Sequence, residues 1–240
     1  MSDSSQKTDD LAIALVSGGM DSLVSAAMAN EKHNNLAFLH LNYGQRTQRK
    51  ELECFHQIAD FYQVPHRLRK VIDVTFLTQI GGSSLTDPDI EVKHYQGEGA
   101  SDEIPDSYVP FRNTHIVSMA VSWAEVIGAK KIYIGAVEED SSGYPDCRPE
   151  YYEALNNLIK VGTKDGDITV ETPIIHMKKE QIIQKALDLK APLKFSWSCY
   201  QNEDQACGVC DSCALRLRGF QKLGIEDPIA YAQRPNYLSS

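Results

Sequence analysis

No run of this 240-residue chain approaches the roughly twenty apolar residues of a membrane-spanning helix. Its opening, Met1-Ser2-Asp3-Ser4-Ser5-Gln6-Lys7-Thr8-Asp9-Asp10, is polar and lacks the apolar segment of a secretory signal. Residues 1–10 therefore read as a disordered tail, no membrane partner is expected, and the expected location is cytoplasmic. Positive charge is also scarce: Lys plus Arg total 24 against 33 Asp plus Glu, for a net charge of −9. That balance argues against tight, general binding to a phosphate backbone, so no nucleic-acid partner is expected, although a local basic patch is compatible with it. No internal repeat or low-complexity segment stands out. What remains is an ordinary composition, 42% hydrophobic and 24% charged. The length suits one large α/β domain, or a domain with a small appendage.

Strand and helix patterns alternate along the chain. Residues Leu11–Val16, Leu36–Leu41, His66–Ile72 and Lys131–Ala136 read as strands. Residues Asp21–Asn30, Arg46–Tyr62, Thr114–Ile127, Glu150–Val161 and Lys178–Leu189 read as helices, with Gly128 a C-cap of the third. Such alternation predicts an α/β fold with a doubly wound parallel sheet, both faces covered and ligands bound at the carboxyl ends of the strands. Between Ile72 and Phe111 the pattern fails in a long acidic stretch, which reads either as a flap over the site or as a solvated insertion.

The most informative segment is Ser17-Gly18-Gly19-Met20-Asp21-Ser22, between the first strand, ending at Val16, and the first helix. A glycine-rich turn at a helix N-terminus presents backbone N–H groups to an anion, and the helix dipole favours negative charge there. It lacks the Gly-Lys-Ser/Thr ending of a Walker A loop. The alternative is a tight turn with no ligand.

Four of the six cysteines form the pattern C-x7-C-x2-C-x2-C: Cys199, Cys207, Cys210 and Cys213. Four convergent thiolates would close a structural zinc site, clamping the loop after Trp197 to a helix starting near Asp211. An iron–sulfur cluster is the alternative; the absence of a proline after the last cysteine counts against it. Redox thiols are a third reading. Cys54 reads as core, whereas Cys147 lies in a polar loop. His40, within an apolar strand, reads as a satisfied core residue.

Three loops follow strands or enter helices where a site is expected. Asn42-Tyr43-Gly44-Gln45-Arg46, Tyr108-Val109-Pro110-Phe111-Arg112-Asn113 and Glu138–Arg148 each carry an aromatic, an arginine or both. An aromatic can stack on a flat heterocycle, and an arginine can hold a phosphate or carboxylate bidentately. Helix-entry solvation is the alternative for Arg46 and Arg112, and an N-cap role for Asn113. Asp140 and Asp146 could hold Mg²⁺ or a base edge, or simply form turns.

Taken together, these segments resemble the 7-cyano-7-deazaguanine synthase family, within the PP-loop ATP pyrophosphatases, from Leu11 to about Phe220. The resemblance rests on Ser17–Ser22, Tyr43-Gly44-Gln45-Arg46, Val109–Asn113, Ser142-Gly143-Tyr144-Pro145-Asp146-Cys147-Arg148, and Cys199-Tyr200 with Cys207, Cys210 and Cys213. It implies a Rossmann-like fold of the adenine nucleotide alpha hydrolase type. A nucleotide-binding domain would span 11–190, a small zinc-binding helical segment 191–225 and a C-terminal tail 226–240. It implies an ATP-dependent carbon–nitrogen ligase that acts in queuosine precursor biosynthesis. Adenylation of 7-carboxy-7-deazaguanine, attack by ammonia to give the amide, and a second adenylation would yield the nitrile. Mg²⁺ would accompany ATP, and the chain would form a homodimer. Val16, Ser17, Gly18, Gly19, Met20, Asp21 and Ser22 would then hold the nucleotide. Tyr43, Gln45, Arg46, Arg112, Asn113, Asp140, Tyr144, Asp146 and Arg148 would face the substrate, with Asp21, Arg112 and Asp146 taking part in catalysis. Phe111 departs from the pattern, standing where a Gly or Ala is expected. A tRNA-thiolating PP-loop enzyme, an amide-forming relative that uses a protein amine, and a non-enzymatic zinc module are the competing readings.

Overall fold

The computed structural model describes residues 7–87, 89–95, 104–138 and 144–238. Strands β1 (Thr8–Leu15), β2 (His33–Asn42), β3 (Arg69–Asp73), β4 (Lys131–Tyr133) and β5 (Thr169–Glu171) form one sheet in the order β3-β2-β1-β4-β5. Every pairing is parallel. The helices are α1 (Met20–Lys32), α2 (Gln48–Phe61), α3 (Arg112–Ile127), α4 (Pro149–Gly162), α5 (Lys179–Asp188) and α6 (Asp211–Lys222). None of the described helices is long and apolar enough to cross a membrane.

The apolar run of β1 explains why the sheet is covered on both faces. Successive side chains of a strand point to opposite faces. Ala12, Ala14 and Val16 enter one core with Leu23 of α1, Phe55 of α2, Ile183 of α5 and Phe220 of α6. Ile13 and Leu15 enter the other, with Val117 and Trp123 of α3 and Leu155 of α4. Each fully buried Leu, Ile or Phe contributes about 1.5–3 kcal/mol. A charge at Ile13 would therefore remove one such term and leave an unpaired ion in its place.

Strand order reverses between β1 and β4, and the chain leaves both strands at their carboxyl ends on the same side. That crevice is where an open parallel sheet binds ligands. β4 stops at Tyr133 rather than continuing to Ala136, because residues 134–137 turn to line the crevice. β3 starts at Arg69 rather than His66; Pro65 begins a short 3-10 turn over His66–Leu68, closed by Leu68 N–H donating to Pro65 O at 2.8 Å. β1 starts at Thr8, three residues before the expected Leu11, and Thr8 pairs with His33. β5 lies outside the sequence expectation, since three residues are too few to display an alternation. Gly128 caps α3 as expected, with its N–H on Ala124 O. The stretch after 226, expected as a tail, packs back on α6: Asp227 is buried and Ala206 bridges Tyr231.

Candidate functional site

The turn after β1 is held by its own serines. Ser22 Oγ accepts from Ser17 N–H at 3.2 Å and lies 3.1 Å from Ser17 Oγ, while donating to Gly19 O at 2.9 Å. Gly19 N–H donates to Ser17 Oγ at 3.2 Å. Gly18 adopts φ +93°, and a Cβ there would lie 2.5 Å from the Glu51 carbonyl oxygen. Both facts require glycine at this position. Gly135, after β4, lets the chain approach the start of α1; a Cβ there would meet Ser22 N at 2.6 Å. His40, fully buried, donates from Nδ1 to Val16 O at 2.9 Å and faces the Asn42 side chain at 3.0 Å. Burial holds its pKa below the ordinary value, so it is a neutral, satisfied core histidine as expected, and it braces the start of the turn.

Asp21 meets Lys179, the first residue of α5: Nζ lies 2.9 Å from Oδ1 and 3.1 Å from Oδ2. Both residues line a cavity of about 300 Å³ that also takes in Ser17, Gly19, Tyr43 and Arg112. The turn and the Tyr43 and Arg112 loops thus share one chamber, as the sequence led one to expect.

The far wall is built around Arg112. Its Nη1 donates to Tyr43 Oη at 3.1 Å, and the guanidinium lies 5.2 Å from the centre of the Tyr43 ring. Its Nε is buried without a hydrogen-bond partner. Tyr144 Oη sits 2.6 Å from Ser107 Oγ, and burial pushes that phenol up to about 12. Asn113 is not an N-cap: α3 begins at Arg112, after Phe111 in the left-handed region. Asn113 N–H instead donates to Asp146 Oδ2 at 3.0 Å, and its Nδ2 to Asp146 O at 3.0 Å and Cys147 Sγ at 3.4 Å. The second Asp146 oxygen, Oδ1, is buried and unpartnered. Burial raises the Asp146 pKa, opposed by the Asn113 amide.

Other expected residues are placed differently. Arg46 borders the cavity, but its Nε donates to Ser84 O and its Nη2 to Asp87 O and Ile90 O, each at 2.8 Å. It therefore ties down the segment that follows β3. Leu85, Pro105 and Ser107 of that segment line the cavity, so its described part is a packed roof rather than a solvated insertion. Gln45 is buried, accepting from Tyr43 N–H at 2.9 Å and donating to Glu51 Oε2 at 2.9 Å. Arg148 is exposed at the start of α4 and does not line the cavity. Asp140, with Ser142 and Gly143, lies outside the described residues.

Cys199, Cys207, Cys210 and Cys213 are all buried, and their sulfurs lie within 4.8 Å of one another, a group that could hold a metal ion. Gln201, Asn202 and Cys207 N–H groups donate to Cys199 Sγ, and Val209 and Cys210 N–H groups to Cys207 Sγ. Such donors favour thiolate over thiol. The chain through this knot reaches the turn, since Trp197 N–H donates to Gly18 O at 2.8 Å. Behind it Arg216 and Asp227 form a fully buried bidentate pair at 2.6 and 2.9 Å. Cys54 is core, as expected, and burial pushes its thiol up to about 12.

Sequence reading missed Lys179, Glu51 and Tyr200, all of which line the cavity. Lys179 did leave a signal. A lysine at the first position of a helix opposes the dipole, so it invites the question of what anion it faces.

A model of the queuosine biosynthesis protein QueC family matches residues 11–224. The 7-cyano-7-deazaguanine synthases of Chlorobium phaeobacteroides and Chlorobaculum parvum are 57% and 58% identical over 228 residues, 95% of this chain and 99% of each of theirs. Among solved structures, a 4-thiouridine synthetase–RNA complex with bound ATP is similar at TM-score 0.50 and 19% identity, over 95% of this chain and 48% of that one. That likeness concerns the fold.

Proposed function

The chain belongs to the QueC family of queuosine biosynthesis proteins, and from that premise we propose that its cavity makes 7-cyano-7-deazaguanine from 7-carboxy-7-deazaguanine, ammonia and ATP. One observation carries the chemical reading: the turn after β1 and the half-buried Arg112, whose Nε has no hydrogen-bond partner, open into a single chamber. A carboxylate oxygen is a poor leaving group until it is esterified to AMP. That shared lining supports a phosphate cradle beside a cation suited to a carboxylate.

In this reading Ser17–Ser22 hold the departing pyrophosphate through backbone N–H groups, and Lys179 adds positive charge at the same end. Asp21 offers oxygen donors, the type a hard cation prefers, and Mg²⁺ bound there would offset phosphate charge. Arg112 fixes the substrate carboxylate, and the rings of Tyr43, Tyr144 and Tyr200 border the flat heterocycle. Asp146 and Asn113 set the start of α3 and so the position of Arg112. Holding ATP and carboxylate in line supplies much of the rate gain. Attack by ammonia gives the amide with loss of AMP; adenylation of the amide oxygen and loss of a second AMP gives the nitrile.

The buried four-thiol set fits zinc, with no open position and so no chemistry of its own. A cytoplasmic location and a homodimer complete the reading; light scattering tests the latter. The decisive experiment is incubation with 7-carboxy-7-deazaguanine, ATP, Mg²⁺ and ammonia, with nitrile and AMP followed by mass spectrometry. Nitrile with two AMP per turnover is expected. Amide as the sole end product, or no AMP, would overturn the assignment.

A further inference from the structure

Glu51 is a carboxylate that the site so far leaves unused. It stands in the first turn of α2, half-buried, and lines the cavity. Thr47 Oγ1 donates to its Oε1 at 2.7 Å, and Gln45 Nε2 donates to its Oε2 at 2.9 Å. Both partners are neutral. A carboxylate partly removed from water and hydrogen-bonded only to neutral donors is costly, and the helix dipole and the field of Arg112 offset only part of that cost. Two donors fix its orientation, yet each oxygen retains a free acceptor position.

Its place is also telling. The Glu51 carbonyl packs directly on Gly18, so the residue backs the anion-binding turn. Burial raises its pKa, with Arg112 and the Thr47 and Gln45 bonds acting the other way and Glu203 adding to the rise. Tyr43, Arg112 and Cys54 are the other titratable groups that share its field. The reaction proposed above needs one reactant that arrives with the wrong proton count. Like the lysine side chain, ammonia is protonated near neutral pH and has no lone pair to attack with.

We propose that Glu51 is the catalytic base that binds ammonium in the cavity and takes its proton. An N–H bond breaks and an O–H bond forms on Glu51. The freed nitrogen lone pair forms the C–N bond at the adenylated carboxyl carbon. The C–O bond to AMP then breaks, and its electron pair leaves with AMP. The proton that the new amide sheds goes to water. This assignment rests on the adenylation reading above. A structural role, in which Glu51 merely orders Gln45 and through it the Tyr43 backbone, is the competing account.

Glu51→Gln separates the two when three rates are measured. Carboxylate-dependent ATP–pyrophosphate exchange reports adenylation alone and should stay within about threefold of the parent protein. Amide formation from ammonium should fall about 100-fold or more, the usual scale for loss of a general base. The deficit should shrink as the pH rises and free ammonia accumulates. Hydroxylamine, a much weaker base and a free amine at neutral pH, should still be captured at near-parental rate. Equal losses with both nucleophiles, or parental turnover with ammonium, would overturn the assignment. If the glutamine variant does not fold by circular dichroism, Glu51→Asp takes its place; as it keeps a carboxylate, the base role requires it to outpace Glu51→Ala with ammonium but not with hydroxylamine. Absence of exchange in the parent protein would instead overturn the adenylation reading itself, and this proposal with it.

Discussion

Arg112 shows how much a single side chain can carry. Its planar guanidinium both stacks on Tyr43 and donates to its hydroxyl, a combination that an ammonium cannot reproduce. Arg112→Lys should therefore lower kcat/KM about 10–100-fold, the scale of one charge-assisted hydrogen bond, with little change in the urea midpoint. A parental kcat/KM would remove Arg112 from the site. Phe111 is the neighbouring case. The family resemblance marked it as standing where a Gly or Ala is expected; its φ of 59° lies in the left-handed region, which favours glycine. Its ring is largely exposed, so Phe111→Gly should relieve strain at little packing cost and raise stability by up to about 1 kcal/mol in denaturant titration. Legibility at this scale followed chemistry. The glycines and cysteines declared themselves, because few other residues can do what they do. Glu51 belongs to no motif and so was missed, and Arg46 resembled a ligand arginine, because only the fold reveals which carbonyls and cavities they meet.

Among elements, those with long apolar patterns were legible, and β5, with three residues, was not. What patterning could not reveal is the polar anchoring between elements. Arg216 of α6 is fully buried against Asp227, and its Nη1 donates to Ser196 Oγ and Ser198 Oγ. Removing one partner of such a pair strands a charge, so Asp227→Asn should cost about 3–5 kcal/mol, read as a lower unfolding midpoint. A change below about 1 kcal/mol would show that α6 is held by its apolar face alone. β2 carries a second polar device. Burial holds the pKa of both His33 and His40 below the ordinary 6.5. Between that value and the lower folded values, the unfolded chain binds more protons than the folded one. Stability should thus be complete above pH 6.5 and decline as the pH falls below it. The slope approaches about 1.4 kcal/mol per pH unit for each histidine. Denaturation curves from pH 8 to pH 5 check the sign, and His40→Asn should flatten the slope.

At the scale of the whole molecule, the four-cysteine knot is wired both to the turn after β1 and to the roof segment of the chamber. Trp197 N–H holds Gly18 of the turn after β1. On the other side, His94 bridges Cys210, Tyr95 N–H donates to Val209 O, and Gln201 Nε2 donates to Val92 O. Those contacts fasten the far end of the roof segment, whose near end Arg46 fastens through Ser84, Asp87 and Ile90. A metal in the knot would therefore act on ligand affinity without touching the ligand. Its removal leaves four close sulfurs held only by weak bonds from neighbouring N–H groups, and loop 199–210 should loosen first, since binding energy in such sites is folding energy. Chelation should then raise hydrogen exchange at residues 17–22 and 84–95 while β1 and β2 stay protected, and it should weaken ATP binding about tenfold, or ~1.4 kcal/mol. Re-addition of zinc should restore both. Metal loss with unchanged ATP affinity would show that the knot stabilises α6 alone and that the turn and the roof segment stand without it.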